Sequence, residues 1–190
     1  MERVSQRVAV FIDGNNVTNG LRRNWAGRQI NWRKLKENFL NTMGTVVGIF
    51  IYFSELVPRT QDEESETRLV GWRRFLSFLQ REGYRVFKKE ASEVYEAREV
   101  VGYKGNCDVE IAVDMTSLVA TGRVDQVVLM SGDRDFVYLA EKMRSCPYGI
   151  RFIVVGFQGS TADALKNACD EFIAIDTIIA PLLNPVTNGT

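Results

Sequence analysis

The sequence predicts an α/β domain, a central parallel sheet with helices on both faces. Three observations carry that expectation. Short runs rich in β-branched residues alternate with longer segments of helical periodicity, the pattern of strand–helix–strand units joined by right-handed crossovers. Four of the five runs are near-continuously apolar, as strands are when both faces of a sheet are covered. The chain has 190 residues, 45% of them apolar and 25% charged. That is enough for one buried core, and no repeat or internal linker divides it.

The elements follow in order. Residues 8–12 (VAVFI) form the first strand, stopped by Asp13. Residues 31–40 carry Trp32, Leu35, Phe39 and Leu40 at helical spacing. Residues 46–53 (VVGIFIYF) form the second strand, and residues 64–81 gather Leu69, Trp72, Phe75, Leu76 and Leu79 on one helical face. Residues 84–87 form a weaker run that alternates at Arg85, which suits an edge strand. Residues 90–106 are irregular and fit a flap or short hairpin. Residues 109–119 are helical, with Thr121-Gly122 as the stop. Residues 127–130 (VVLM) form the fourth strand. In residues 133–144, Phe136, Leu139, Ala140 and Met143 recur at helical intervals. Residues 150–155 form the fifth strand, and 162–169 a short helix. Residues 1–183 are expected to make one domain and 184–190 to fray. Phe11, Ile49, Ile51, Leu129, Ile153 and Val155 should lie in the core, with Trp72, Phe75 and Phe136 packed on it from the helices.

Composition removes several functions. Lys and Arg number 24 and Asp and Glu number 24, so generic adhesion to a polyanion or a membrane is not expected. The chain has no histidine, which excludes Ser-His-Asp and Cys-His catalysis and every His-containing zinc site. Cys107, Cys146 and Cys169 have no CxxC spacing and fit buried thiols in a reducing cytoplasm. No apolar run is long enough for a signal peptide or a membrane span. Dinucleotide binding would want GxGxxG after the first strand, and a haloacid-type phosphatase would want DxDx(T/V); the sequence there is DGNN.

Function in an open parallel sheet collects at the carboxyl ends of the strands. Asp13-Gly14-Asn15-Asn16 follows the first strand and Ser131-Gly132-Asp133-Arg134-Asp135 the fourth; Lys104-Gly105-Asn106-Cys107-Asp108 precedes the helix leading into the fourth. The strand-order rule lets the first and fourth strands be neighbours at the switch point, which would bring Asp13 and Asp133 together. An Asp after a strand is often only a cap or turn residue. Three converging acidic loci point further, because crowded carboxylates repel unless they share a cation. A hard divalent ion with oxygen ligands resolves the repulsion, polarises a phosphoryl oxygen and acidifies a bound water. Asp114 shares a helix face with Glu110, Ser117 and Thr121, which also suits a solvated face.

The motifs FIDGNN (11–16), KGNCDVEIAVDM (104–115), LMSGDRDF (129–136), GIRFIVVGF (149–157) and LKNACDEFIAID (165–176) resemble the LabA-like branch of the NYN domain family, relatives of the PIN-domain nucleases. The resemblance spans roughly residues 6–180. It implies a Rossmann-like PIN fold with strand order 3-2-1-4-5 and a Mg²⁺- or Mn²⁺-dependent endoribonuclease site. It makes Asp13, Asp108 and Asp133 the metal carboxylates, with Asp135 acting through water. Asn16 would orient Asp13 or hold a metal-bound water, Ser131 would hydrogen-bond around the Asp133 loop, and Lys104 would contact the substrate phosphate.

Between residues 20 and 36, Arg22, Arg23, Arg28, Arg33, Lys34 and Lys36 run with Trp25 and Trp32 and no acidic residue, a composition suited to single-stranded RNA. The same pattern describes an amphipathic helix with a solvated basic face and core tryptophans. Arg81, Arg85, Lys88 and Lys89 form a second basic group, expected at a sheet edge. The competing function is a non-catalytic or regulatory module that binds RNA or a protein partner; a homo-oligomer stays open.

Overall fold

A computed structural model describes the chain except residues 1–4, 26–27, 56–62, 97–98, 146, 148 and 185–190; at residues 64–65 and 92–104 it describes the backbone alone. In chain order the elements are β1 (Arg7–Asp13), α1 (Gly14–Asn24), α2 (Trp32–Asn38), β2 (Thr45–Glu55), α3 (Glu63–Arg81), β3 (Arg85–Glu90), β4 (Ser92–Glu96), β5 (Glu99–Lys104), α4 (Asp108–Ala120), β6 (Gln126–Met130), α5 (Val137–Arg144), β7 (Arg151–Gly156), α6 (Asp163–Ala168) and β8 (Glu171–Ala174). Six strands form one parallel sheet in the order β3-β2-β1-β6-β7-β8, and β4 and β5 pair as an antiparallel hairpin. The five expected strands stand in the expected order, and β8 extends the sheet by a sixth strand beside β7. Its four residues, EFIA, are all half-buried and offer no apolar run to read.

Side chains alternate between two cores, as the pleat requires. One face carries Val8, Val10, Ile12, Ile49, Ile51, Met130, Ile153 and Val155 beneath α1, α2 and α3. The other carries Ala9, Phe11, Phe50, Tyr52, Leu129 and Val154 beneath α4, α5 and α6. The expected core residues Phe11, Ile49, Ile51, Leu129, Ile153 and Val155 are buried, as is Phe136; Trp72 and Phe75 pack half-buried on the first face. Cys107 and Cys169 are buried thiols, and Cys146 lies outside the described residues. Among the described residues no helix is long and apolar enough to cross a membrane.

α1 is the helix that periodicity does not announce, with four Asn and two Gly in GNNVTNGLRRN. Its start is set by Asp13, whose side chain accepts the Asn16 N–H at 3.0 Å as an N-cap. Its glycines let it lie close on the sheet: a Cβ on Gly14 would come within 2.3 Å of the Phe53 ring, and one on Gly20 within 2.4 Å of the Phe157 ring. α2 is likewise capped, by Asn31 accepting from the Lys34 N–H at 3.0 Å.

Candidate active site

β1 pairs directly with β6, Ile12 standing level with Met130. The two loops that follow them therefore meet at the carboxyl end of the sheet. Asp13 ends β1 on the face of Phe11, towards α4. Its Oδ1 accepts the Asn16 N–H and its Oδ2 accepts the Ser131 hydroxyl at 3.1 Å. Ser131 Oγ in turn accepts the Asp133 N–H at 3.2 Å, and Asp133 Oδ1 accepts the Asp135 N–H at 3.0 Å. Burial raises the Asp13 pKa; the Asn16 and Ser131 donors oppose that shift, and the Asp133 charge adds to it.

Asp108 opens α4, half-buried, with Oδ2 accepting from Asn106 Nδ2 at 2.6 Å. Burial first, and then the charges of Asp13, Asp133, Asp135 and Glu110, push its carboxyl up to about 6. The structure thus brings Asp13, Asp133 and Asp135 within electrostatic reach of Asp108, and Asp133 within reach of Asp13. Cys107, beside them, is pushed up to about 11 by burial and by Glu110 and Asp13, so it stays a protonated thiol. Glu110 pairs with Lys89 of β3 at 2.6 Å.

The remaining residues of the DGNN motif act as joints. Asn16 Oδ1 accepts the Gly132 N–H at 2.9 Å, lashing α1 to the loop after β6. Asn15 makes a two-way bond with Ser54: its Nδ2 donates to the Ser54 carbonyl and its Oδ1 accepts the Ser54 N–H, both at 3.0 Å. Ser54 Oγ donates to the Gly105 carbonyl at 2.9 Å, which carries the tie to the loop before Asp108. Asn15 and Ser54 carry no signal of this kind in the sequence, because the pairing needs the ends of β1 and β2 to be side by side. Asp114 accepts the Tyr52 hydroxyl at 2.8 Å and so pins α4 to the sheet instead of joining the acidic group.

The donors fit a hard divalent cation. They are carboxylate oxygens only, and two of the groups have pKa values raised by burial and mutual repulsion. Among the described residues no three acidic or thiol groups are close enough to enclose one ion. A Mg²⁺-like ion, which keeps several waters and takes one or two carboxylates directly, does not need such a cage.

The expected substrate contacts are placed less closely. Arg22 and Arg23 lie exposed on the last turn of α1, about 12 Å along the helix from Gly14. Arg28 is half-buried and donates to the Asn184 carbonyl at 3.1 Å, and Arg33 pairs with Glu82 at 2.6 Å. Trp32 is a core residue, edge-on to Tyr84 with ring centroids 6.0 Å apart, so its ring is closed to a nucleobase. Residues 20–36 are therefore not one continuous basic face. Lys104 ends β5 in the strand next to the Asp108 loop; its side chain lies outside the described residues. Asn184, expected to fray, donates its N–H to the Gln29 carbonyl at 2.9 Å.

Residues 7–176 match the NYN domain model. The low amplitude and bright protein LabA of Synechococcus elongatus is 31% identical over 174 residues, which cover 90% of this chain and 85% of LabA. An uncharacterised protein of Methanocaldococcus jannaschii is 35% identical over 71 residues, 37% of this chain and 29% of that protein. The crystal structure of a protein of unknown function from Vibrio parahaemolyticus superposes with a TM-score of 0.72 at 24% identity, covering 97% of this chain and 99% of that one. At that identity the likeness speaks to the fold alone.

Proposed function

The chain belongs to the NYN domain family, and from that premise we propose that it is a divalent-metal-dependent ribonuclease whose substrate is single-stranded RNA. The observation that carries the reading is that Asp13, Asp133 and Asp135 lie within electrostatic reach of Asp108 at the carboxyl end of the sheet, where burial first and then their charges hold Asp108 up to about 6. Such a group of like charges is costly for a fold unless a cation shares it.

Of Asp13, Asp108 and Asp133, one or two would hold Mg²⁺ or Mn²⁺ directly and the rest through water; the ion would supply Lewis acidity at a phosphoryl oxygen and a bound water acidified towards neutral pH. A carboxylate offers about four acceptor positions. Two of those on Asp13 are taken, by Asn16 and Ser131, which fixes the group's orientation and leaves the others for the site. Asp135 is exposed and serves as acceptor for a water proton. Asn16 holds the loop that carries Asp133, and Lys104, Arg22 and Arg23 contact the phosphate backbone.

The test is incubation with linear and circular single-stranded RNA and with duplex RNA, in Mg²⁺, Mn²⁺ or EDTA, beside Asp13→Asn. Metal-dependent cleavage that falls at least about a hundredfold in Asp13→Asn supports the reading, and a cut circle shows internal cleavage. Full cleavage in EDTA, or by Asp13→Asn, overturns it. RNA bound and never cut favours the regulatory module instead.

A further inference from the structure

The edge of the sheet nearest the acidic site carries a feature that the ribonuclease reading does not use. Asp13, Tyr52 and Phe87 stand at one level on three adjacent strands, and in a parallel sheet level residues point to the same face. Tyr52 is covered by α4, while Phe87, on the edge strand, is 42% exposed. The Phe87 ring lies nearly parallel to Tyr52, with centroids 4.9 Å apart and an interplanar angle of 12°. Phe50 is near-parallel to Phe87 at 6.4 Å, and Phe11 is stacked on Phe50 at 4.8 Å. The Phe87 ring thus ends a series of near-parallel rings at the sheet edge, and it is the exposed member of that series.

The flanking residues on the same face are cationic. Arg85 and Lys89 stand two residues before and after Phe87, about 6.6 Å away along the strand. Arg85 holds its guanidinium 5.0 Å from the Phe50 centroid. Lys89 reaches Glu110, two residues beyond Asp108 on α4. A cation, an open ring and a second cation therefore lead along the edge towards the acidic site. Phe87 is two strand spacings from Asp13, about 10 Å between backbones.

We infer that this row is a stacking subsite for one base of a single RNA strand, Phe87 supplying the ring face and Arg85 a phosphate contact, while Lys89 stays paired with Glu110 beside the acidic site. The inference rests on the ribonuclease reading for the identity of the strand. Every base has a π-face, so the subsite selects for unpaired strands and not for sequence. A duplex keeps its bases stacked inside and cannot offer one to Phe87.

The experiment measures binding of a labelled single-stranded RNA by anisotropy in EDTA, so that cleavage cannot intervene. Phe87→Leu keeps apolar packing against Tyr52 but has no ring face; Phe87→Trp keeps the face. Phe87→Leu should weaken single-strand binding by about 5- to 100-fold, Phe87→Trp should bind like the parent or tighter, and both should melt close to it. A single abasic position walked along the RNA should weaken the parent at one site and leave Phe87→Leu indifferent there. Equal affinity of Phe87→Leu and the parent, or an abasic profile unchanged by Phe87→Leu, overturns the subsite. A parent that cuts RNA while ignoring Phe87 sinks this inference alone; a parent that neither binds nor cuts RNA sinks the ribonuclease reading and the subsite with it.

Discussion

Replacing Asp108 by Asn removes a charge while keeping the shape, and the surroundings of Asp108 set the sign of the effect. The folded chain holds this carboxyl at about 6, against 3.8 for an ordinary Asp. Between those values the folded state binds more protons than the unfolded one, so stability falls as pH rises through the window and stays lowered above it. Asp125 behaves the opposite way: Arg7 holds it at about 2, and its contribution is lost only in strong acid. For Asp108, roughly two pH units at about 1.4 kcal/mol each set an upper bound near 3 kcal/mol. The group is half-buried, and water screening lowers that to about 1 kcal/mol. Asp108→Asn should therefore stabilise the metal-free chain by about 1 kcal/mol near pH 7.5, a Tm gain of about 2–4 °C for a domain of this size. Near pH 4 the gain should vanish. Thermal melts in EDTA across that range measure it. Added Mg²⁺ should then raise the Tm of the parent more than that of the variant, because a ligand stabilises the form that binds it. A variant no more stable than the parent near pH 7.5, or one equally stabilised near pH 4, refutes the raised Asp108 carboxyl and the burial and neighbouring charges argued to raise it.

Three further outcomes follow from the same geometry. Asn16→Ala strands the buried Gly132 N–H and should cost about 1–3 kcal/mol in urea denaturation; no loss would mean that the loop is held by other contacts. Gly14→Ala drives a methyl into the Phe53 ring and should cost about 1–3 kcal/mol, with a melt as stable as the parent's showing that the ring can move aside. Reversing Arg22 and Arg23 to Glu should weaken RNA binding and flatten its salt dependence by about one unit of slope per lost phosphate contact; an unchanged slope returns both residues to a solvated helix end.

The fold was legible wherever burial left its mark on composition. β1, β2, β6 and β7 are covered on both faces and read as apolar runs, and β3 betrayed its edge position through Arg85. β8 was invisible because a half-buried four-residue edge strand has no period to detect. α1 was invisible because its sequence has poor helix propensity; its helix is made by the Asp13 cap and by glycines that fit beneath Phe53 and Phe157. At the candidate site, the strand-end rule singles out the four aspartates from the sequence. It could not pair Asn15 with Ser54 or Lys89 with Glu110, whose partners lie on elements far apart in the chain. Trp32 was open to two readings because a tryptophan between basic residues looks the same whether it faces a nucleobase or Tyr84.

The hydrogen bonds around Asp13 also have a direction that cannot be reversed. A backbone N–H only donates, so Asp133 N–H commits one lone pair of Ser131 Oγ, and Ser131 hands its own proton to Asp13. Gly132 N–H commits Asn16 Oδ1 in the same way. Both oxygens of Asp13 thus face protons already assigned. A donor therefore already stands at each oxygen of Asp13, and a metal, a water or a proton that arrives there takes one of the lone pairs left over. The loop geometry thus works as a jig: Asn16 and Ser131 hold the Asp13 carboxylate in one orientation from one side and leave its free lone pairs presented on the other.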